Sequence, residues 1–184
     1  HRESDLLVEW YCPAVGIAAD AAAYRAAWDA VLPVLSDPSV TVLRDYHAEN
    51  IMLIERGLGL LDFQDALAGH PAYDLVSLLQ DARRDVSPAL EAAMIARYRA
   101  ATGAGAEFVD AYHVLGAQRN AKIVGIFTRL WRRDGKPRYP GLCPRVWGYL
   151  ERDLAHPALA PVRAWFDATL PSPLRGDPMT IAGA

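Results

Sequence analysis

The sequence predicts a mainly α-helical domain carrying small β hairpins, and three features carry that expectation. Small and apolar residues recur at helical spacing over several stretches, the longest of them residues 107–133. Two short apolar runs, residues 51–54 and 58–61, flank the turn Glu55-Arg56-Gly57, which is hairpin spacing. Serine, aspartate, proline and glycine fall where helices should begin and end.

Taken in order, Leu6-Leu7-Val8-Glu9-Trp10-Tyr11 is a short apolar run that Cys12-Pro13 should stop. Asp20 is placed to cap a helix through residue 36, with Pro33 loosening its last turn and Asp37-Pro38 ending it. Residues 40–43 read as a short strand. The hairpin of residues 51–61 comes next, and then a loop over residues 66–71. Residues 73–83 read as a helix with Leu75, Leu78, Leu79 and Ala82 inward and Asp74 suited to its first turn. Ser87 and Pro88 are a helix start, and Gly103 ends that helix after Thr102. Within residues 107–133, Ile123, Phe127, Leu130 and Trp131 share one side, and Arg119, Lys122, Arg129 and Arg133 another. A charged turn over 132–138 and irregular chain to Pro144 lead to helices over 145–154 and 159–170. After Pro171 the composition is rich in Pro, Gly and Ser, and residues 171–184 are expected to be a loosely held tail.

The 184 residues suffice for one domain with a real core. Hydrophobic residues make up 52% of the chain and the net charge is -3, so there is no overall basic signature of nucleic-acid binding. No apolar run approaches membrane-spanning length and no basic-then-apolar leader is present, so a cytoplasmic, membrane-free setting is expected. Cys12 and Cys143 match no metal spacing and are expected as reduced thiols.

The chemistry concentrates between residues 43 and 65. Asp45 stands five positions before Asn50, the hairpin comes after it, and Asp62 lies at the hairpin's end. Phosphoryl transfer needs little covalent work from a protein, chiefly positioning and charge neutralisation. Asp45 is suited to accept or orient a hydroxyl proton. Asn50 and Asp62 offer oxygens to magnesium, which keeps waters and substrate phosphates as the rest of its shell.

These residues resemble the catalytic and metal-binding loops of the aminoglycoside phosphotransferase family, relatives of the protein kinases. The family pattern His-Gly-Asp-x-His-x-x-Asn stands here as Leu43-Arg44-Asp45-Tyr46-His47-Ala48-Glu49-Asn50, and Ile-Asp-Phe-Gly/Glu-Asp as Leu61-Asp62-Phe63-Gln64-Asp65. The resemblance implies Asp45 as catalytic base, Asn50 and Asp62 as Mg2+ ligands, and His47 as the motif's second histidine. Asp74, in His70-Pro71-Ala72-Tyr73-Asp74-Leu75, braces the catalytic loop, and Asp65 supports the site. Arg44 replaces the family's glycine and Gln64 its Gly or Glu. The implied fold is the C-terminal lobe of a protein-kinase-like fold over residues 1–170, with catalytic loop 43–50 and metal loop 60–65. Family members also carry an N-terminal lobe with a nucleotide-covering loop and a phosphate-gripping lysine. Neither a glycine-rich loop nor a Val-Ala-x-Lys strand occurs here. The chain is therefore expected to be a fragment, inactive alone, with residues 6–11 exposed where the N-terminal lobe is missing.

Magnesium and ATP account for the loop carboxylates and leave the acceptor to be read by other groups. Arg44, His47, Gln118, Arg119 and Asn120 are the candidates, the last three facing the cleft from the long helix. The wording of both loops, with Gln118-Arg119-Asn120-Ala121-Lys122, most resembles the bacterial cell-wall sugar kinases. Those phosphorylate N-acetylmuramate and N-acetylglucosamine at the anomeric hydroxyl in peptidoglycan recycling. A carboxylate-bearing amino sugar suits a basic helix face. Three alternatives stand beside this: an aminoglycoside or other small-alcohol kinase, a metal-dependent phosphohydrolase using Asp45, His47, Asp62 and Asp65, and a non-catalytic kinase-like binding module.

Overall fold

The long helix α5 (Glu107–Arg132) is the axis on which the other elements pack. The structure, a computed structural model, describes residues 2–35 and 39–183. It is mostly helical with two small antiparallel sheets, as the sequence pattern predicts. Among the described residues no helix is long and apolar enough to cross a membrane.

The N-terminal segment corrects the first expectation. A π-helical turn, Leu7–Tyr11, runs into α1 (Cys12–Ala14), and Leu7, Tyr11 and Cys12 are fully buried. Pro13 falls in the first turn of α1, where a missing N–H is tolerated. The segment is therefore core, not an exposed apolar run. It crosses α5 at Gly125, where an added Cβ would collide with the Leu6 carbonyl. Backbone cannot yield as a side chain tip can. Gly125→Ala is expected to destabilise the fold by about 1–3 kcal/mol through overpacking, read as a lowered midpoint of urea unfolding.

Asp20 caps α2 (Ala21–Asp29), accepting from the amides of Ala22 at 2.8 Å and Ala23 at 3.1 Å. The helix stops at Asp29, well short of residue 36. Pro33 cannot donate to the carbonyl four residues back, and its ring crowds it. The chain instead forms a 3₁₀ turn over Leu32–Leu35. The expected break at Asp37-Pro38 lies outside the described residues.

Strand β1 (Val40–Val42) pairs with β4 (Leu67–Gly69), with Val40 opposite Gly69 and Val42 opposite Leu67. Residues 66–71, expected as a loop, thus contain a strand, too short to show an alternating pattern. Gly69 makes the pairing possible, since a Cβ there would lie 2.7 Å from a Val42 methyl. Strands β2 (Ile51–Ile54) and β3 (Gly57–Leu60) form the expected hairpin, with Ile51 opposite Leu60 and Ile54 opposite Gly57. Its surface is apolar. Leu53 is 88% exposed and Leu58 60%, with Met52, Ile54 and Phe63 exposed around them.

Helix α3 (Ala72–Leu79) ends four residues earlier than residue 83; Leu79 and Ala82 are buried as expected and Leu75 packs partly buried on the same core as Leu79, while Val76 and Ser77 are buried and Leu78 is only half-buried. Ser87 Oγ caps α4 (Pro88–Thr102) by accepting from Leu90, and Gly103 closes it at φ 75°, a conformation glycine adopts freely. A 3₁₀ turn, Pro140–Leu142, leads into α6 (Cys143–Leu154), and α7 (Ala160–Thr169) comes after it. Cys12 and Cys143 are free thiols within one core that also holds Trp28, Trp147 and Phe166.

Residues 171–183, expected to be loosely held, are bonded to this body. They form the 3₁₀ turn Ser172–Leu174 and α8 (Pro178–Ala182). The buried Tyr11 hydroxyl donates to the Leu174 carbonyl at 2.8 Å and accepts from the Gly176 amide at 2.9 Å. Arg175 Nε donates to the Leu170 carbonyl at 2.7 Å. Pro173 and Pro178 lie in the first turns of these two segments, a role that bulk composition conceals.

A buried polar cluster joins α3, α5 and α6. Asp153, fully buried, accepts from Gln80 Nε2 at 3.1 Å, His113 Nδ1 at 2.9 Å and Asn120 Nδ2 at 3.4 Å. Asn120 also donates to Gln80 Oε1 at 2.6 Å. Gln80 and Tyr112 both donate to Glu91 Oε1 at 2.8 Å. Gly116 leaves room for the carboxylate, which an added Cβ would meet at under hydrogen-bond distance. Burial raises the Asp153 carboxyl to about 6, although the His113 and Gln80 bonds pull it back down.

Candidate active site

The loop of residues 43–50 leaves β1 and is clamped from α3. Asp74, in the first turn of that helix, accepts from the Leu43 amide at 2.7 Å and the Arg44 amide at 3.0 Å. Ser77 Oγ donates to the Arg44 carbonyl at 3.1 Å. Arg44 is thus held at both ends of its backbone, at φ 71°. That is the left-handed region, which disfavours a residue with a Cβ. The resembled family places glycine here, and the structure shows what the glycine is for. The Arg44 side chain donates to Glu3 Oε1 at 2.6 Å, and Lys122 Nζ lies 3.0 Å from the same oxygen. Arg44→Gly is expected to be more stable than Arg44→Ala by about 1 kcal/mol, because both lose the ion pair and only alanine keeps the strain. Paired urea melts check this.

Asp45 is exposed, and its backbone carbonyl organises the rest of the loop. That oxygen accepts from the His47 amide at 3.0 Å and from Asn50 Nδ2 at 2.9 Å. The second bond fixes the Asn50 amide. Its Nδ2 also lies 3.3 Å from His47 Nε2 and 3.3 Å from Asp62 Oδ2, while its Oδ1 has no donor among the described residues. Hairpin register brings the two candidate ligands together, because the Leu61 amide continues the ladder to the Asn50 carbonyl at 2.9 Å. Asp62 then turns into the left-handed region at φ 58°, which aspartate tolerates better than most residues. Gln64 Nε2 donates to Asp62 Oδ1 at 2.5 Å and steadies it.

These donors are all hard oxygens: an exposed carboxylate and an unengaged amide oxygen. They fit a magnesium ion, which takes one or two protein ligands and fills its shell with water and phosphate oxygens. Among the described residues no group of three or more His, Cys, Asp or Glu forms a protein-only metal cage.

Beside Asp45 opens a cleft of about 240 Å³, with Arg44, His47, Asp81, Arg119 and Lys122 in its wall and the apolar flank of α5 opposite. Arg44, His47 and Arg119, expected around the acceptor, are therefore brought together. Arg119 is buried, donates from Nη2 to Ser77 Oγ at 2.9 Å, and has no ion pair among the described residues. Burial pulls its guanidinium below the ordinary arginine value. Gln118 faces a separate hollow bounded by Leu35, His70 and Leu115. Asn120 is corrected: it is fully buried in the Asp153 cluster and does not reach the cleft. Successive helix positions turn by about 100°, so three adjacent residues cannot share one outlook. Asp65 is exposed and makes no hydrogen bond or ion pair among the described residues. Sequence reasoning missed Ser77 and Asp81. Asp81 lies just past the end of α3, where a carboxylate reads as a turn former, and its Oδ1 does accept from the Arg83 amide at 2.9 Å.

A loop clamped by Asp74, with an exposed Asp45 and an adjoining Asn50–Asp62 pair on a helical body, is the arrangement expected of a phosphotransferase. The profile of the phosphotransferase enzyme family matches residues 2–112, and the chain belongs to that family. The match takes in Asp45, Asn50, Asp62 and Asp74 and stops before Arg119. Among curated proteins, the chain is 48% identical over 179 residues to the N-acetylmuramate/N-acetylglucosamine kinase of Caulobacter vibrioides, covering 91% of this chain and 49% of that protein. It is 38% identical over 174 residues to the protein of the same name from Pseudomonas aeruginosa, covering 86% of this chain and 51% of the relative. For the Neisseria meningitidis protein of that name the identity is 41% over 141 residues, 72% of this chain and 42% of the relative. The chain spans about half the length of the curated relatives it matches.

Proposed function

We propose that the chain is the C-terminal, acceptor-side lobe of an ATP-dependent kinase that phosphorylates N-acetylmuramate and N-acetylglucosamine at the anomeric hydroxyl. The observation that carries this is the cleft. Asp45 stands at its wall beside Arg119 and Lys122, with the Asn50–Asp62 pair adjoining. The names of the relatives, and the half of their length that this chain spans, support both the substrate class and a partnering nucleotide-covering lobe.

In this reading the acceptor hydroxyl approaches Asp45. The carboxylate takes its proton as the sugar oxygen bonds to the γ-phosphorus and the bond to the bridging oxygen breaks, releasing ADP. Asn50 Oδ1 and the Asp62 carboxylate would hold Mg2+, which when bound would supply charge neutralisation at the phosphates. The basic wall suits the carboxylate of N-acetylmuramate. It argues against an aminoglycoside, whose cations would meet Arg44, Arg119 and Lys122. A phosphohydrolase built on Asp45, His47, Asp62 and Asp65 is disfavoured, since these do not gather as a metal cage. A place in cytoplasmic peptidoglycan recycling accords with the same substrates.

The test is phosphoryl transfer from ATP by the whole protein that carries this chain, against both amino sugars, an aminoglycoside panel and water. Transfer to the sugars is expected. Transfer to aminoglycosides alone, or phosphoester hydrolysis without ATP, overturns the reading.

A further inference from the structure

Native interiors leave few polar atoms without a partner. Here Asp81 Oδ2, Arg119 Nη1 and His47 Nδ1 are buried and unpartnered, and all three belong to residues lining the cleft beside Asp45. Each of these side chains is fixed through its other polar atom. Asp81 Oδ1 accepts from the Arg83 amide at 2.9 Å, Arg119 Nη2 donates to Ser77 Oγ at 2.9 Å, and His47 Nε2 lies 3.3 Å from Asn50 Nδ2. Arg83 Nη1, 3.8 Å from Asp81, faces Oδ1, the oxygen already engaged. Side chains so arranged are rigid and yet unsatisfied, the state expected of groups prepared for a polar ligand.

Resting on the reading that this cleft takes the acceptor, we infer that Asp81 and Arg119 are its acceptor-reading pair. Asp81 Oδ2 accepts a hydroxyl or amide proton of the amino sugar, and Arg119 Nη1 donates to one of its oxygens. A ligand must present both a donor and an acceptor to satisfy the two. A sugar ring with hydroxyl and acetamido groups does so, whereas a simple alcohol with one hydroxyl cannot meet both while also offering that hydroxyl to Asp45. The pair therefore selects a polyfunctional ring over a small alcohol. Neither residue takes part in proton transfer; both set affinity and orientation.

Asp81→Asn is the discriminating variant. The Arg83 amide requires an acceptor, so the carbonyl keeps the Oδ1 place and the new NH2 occupies the Oδ2 place. A donor then stands where an acceptor is needed. In the whole protein, KM for both amino sugars is expected to rise roughly 10- to 100-fold, as when a buried polar pairing is lost. The turnover at saturating sugar and KM for ATP should stay within about twofold. Arg119→Lys keeps the charge and loses the fork, and should raise the sugar KM about tenfold. Circular dichroism and urea melts matching the wild type establish that each variant is folded. A folded Asp81→Asn protein with unchanged sugar KM, or an equal rise in KM for ATP, overturns the inference. The unmodified protein supplies an independent reading: N-acetylglucosamine should shift the Arg119 guanidinium nitrogen resonances, and no shift at saturation overturns the assignment. If the wild type transfers phosphate to neither sugar, the proposed function itself falls, whereas an active wild type with an indifferent Asp81→Asn removes only the pair.

Discussion

In the proposed kinase, Asp45→Asn is expected to lower turnover by about 10²–10⁴-fold, the range for removal of a positioned base, while KM for sugar and for ATP moves little. The structure makes this a clean test. Everything Asp45 contributes to the loop comes from its backbone: its amide donates to the Leu43 carbonyl at 2.9 Å, and its carbonyl accepts from His47 and Asn50. Its exposed side chain holds nothing in place. Asparagine therefore keeps the loop, the Asn50 orientation and the adjoining Asp62, and removes only the proposed proton acceptor. Steady-state assays on the protein containing this chain check it. A variant retaining more than a tenth of wild-type turnover would take the base assignment away.

Asp153→Ala is the largest expected effect on stability, a loss of about 3–5 kcal/mol. Three donors, from Gln80, His113 and Asn120, converge on that buried carboxylate. Removing it leaves them unsatisfied in the interior and opens a cavity against Gly116. Urea unfolding at neutral pH measures the loss. The carboxyl also gives stability a pH dependence of definite sign. Its folded value, about 6, lies above the ordinary 3.8, so the folded protein binds the proton more tightly than the unfolded chain. The part of its stability that depends on the bound proton is complete below 3.8 and lost as pH rises through about 6, on top of the hydrogen bonds that the carboxylate keeps at neutral pH. Asp153→Asn, which cannot titrate, should remove this component, so that the wild-type advantage over it shrinks between about pH 4 and 6.5. A constant difference across that window would contradict the raised carboxyl.

Local chemistry was legible in the sequence. Asp20, Ser87 and Gly103 announce helix ends because capping is a matter of one residue and its immediate neighbours. The Asn50 and Asp62 spacing is legible for the same reason, since the hairpin brings these two residues together by register alone. Features that depend on distant packing were not. Leu7 and Tyr11 look like an apolar run, and only Gly125, more than a hundred positions away, provides the groove that turns them into core. Asn120 and Arg119 are neighbours in sequence, yet one closes a buried network and the other lines the cleft, because helical rotation separates them. Asp81 was hidden by its own ambiguity: one oxygen serves the turn and the other does not.

The β2–β3 hairpin carries a practical consequence for work with the isolated chain. Both outer edges of this two-stranded ribbon lack a neighbouring strand among the described residues, and its leucines, isoleucine and methionine stand in water. Unpaired amides beside apolar side chains are a template for strand addition. The colloidal behaviour of the chain is therefore expected to follow this short ribbon beside Asn50 and Asp62, not its mean composition. The osmotic second virial coefficient of the chain should be negative, and a lysine at Leu53, the most exposed of these positions, is the change that would restore mutual repulsion without touching the cleft.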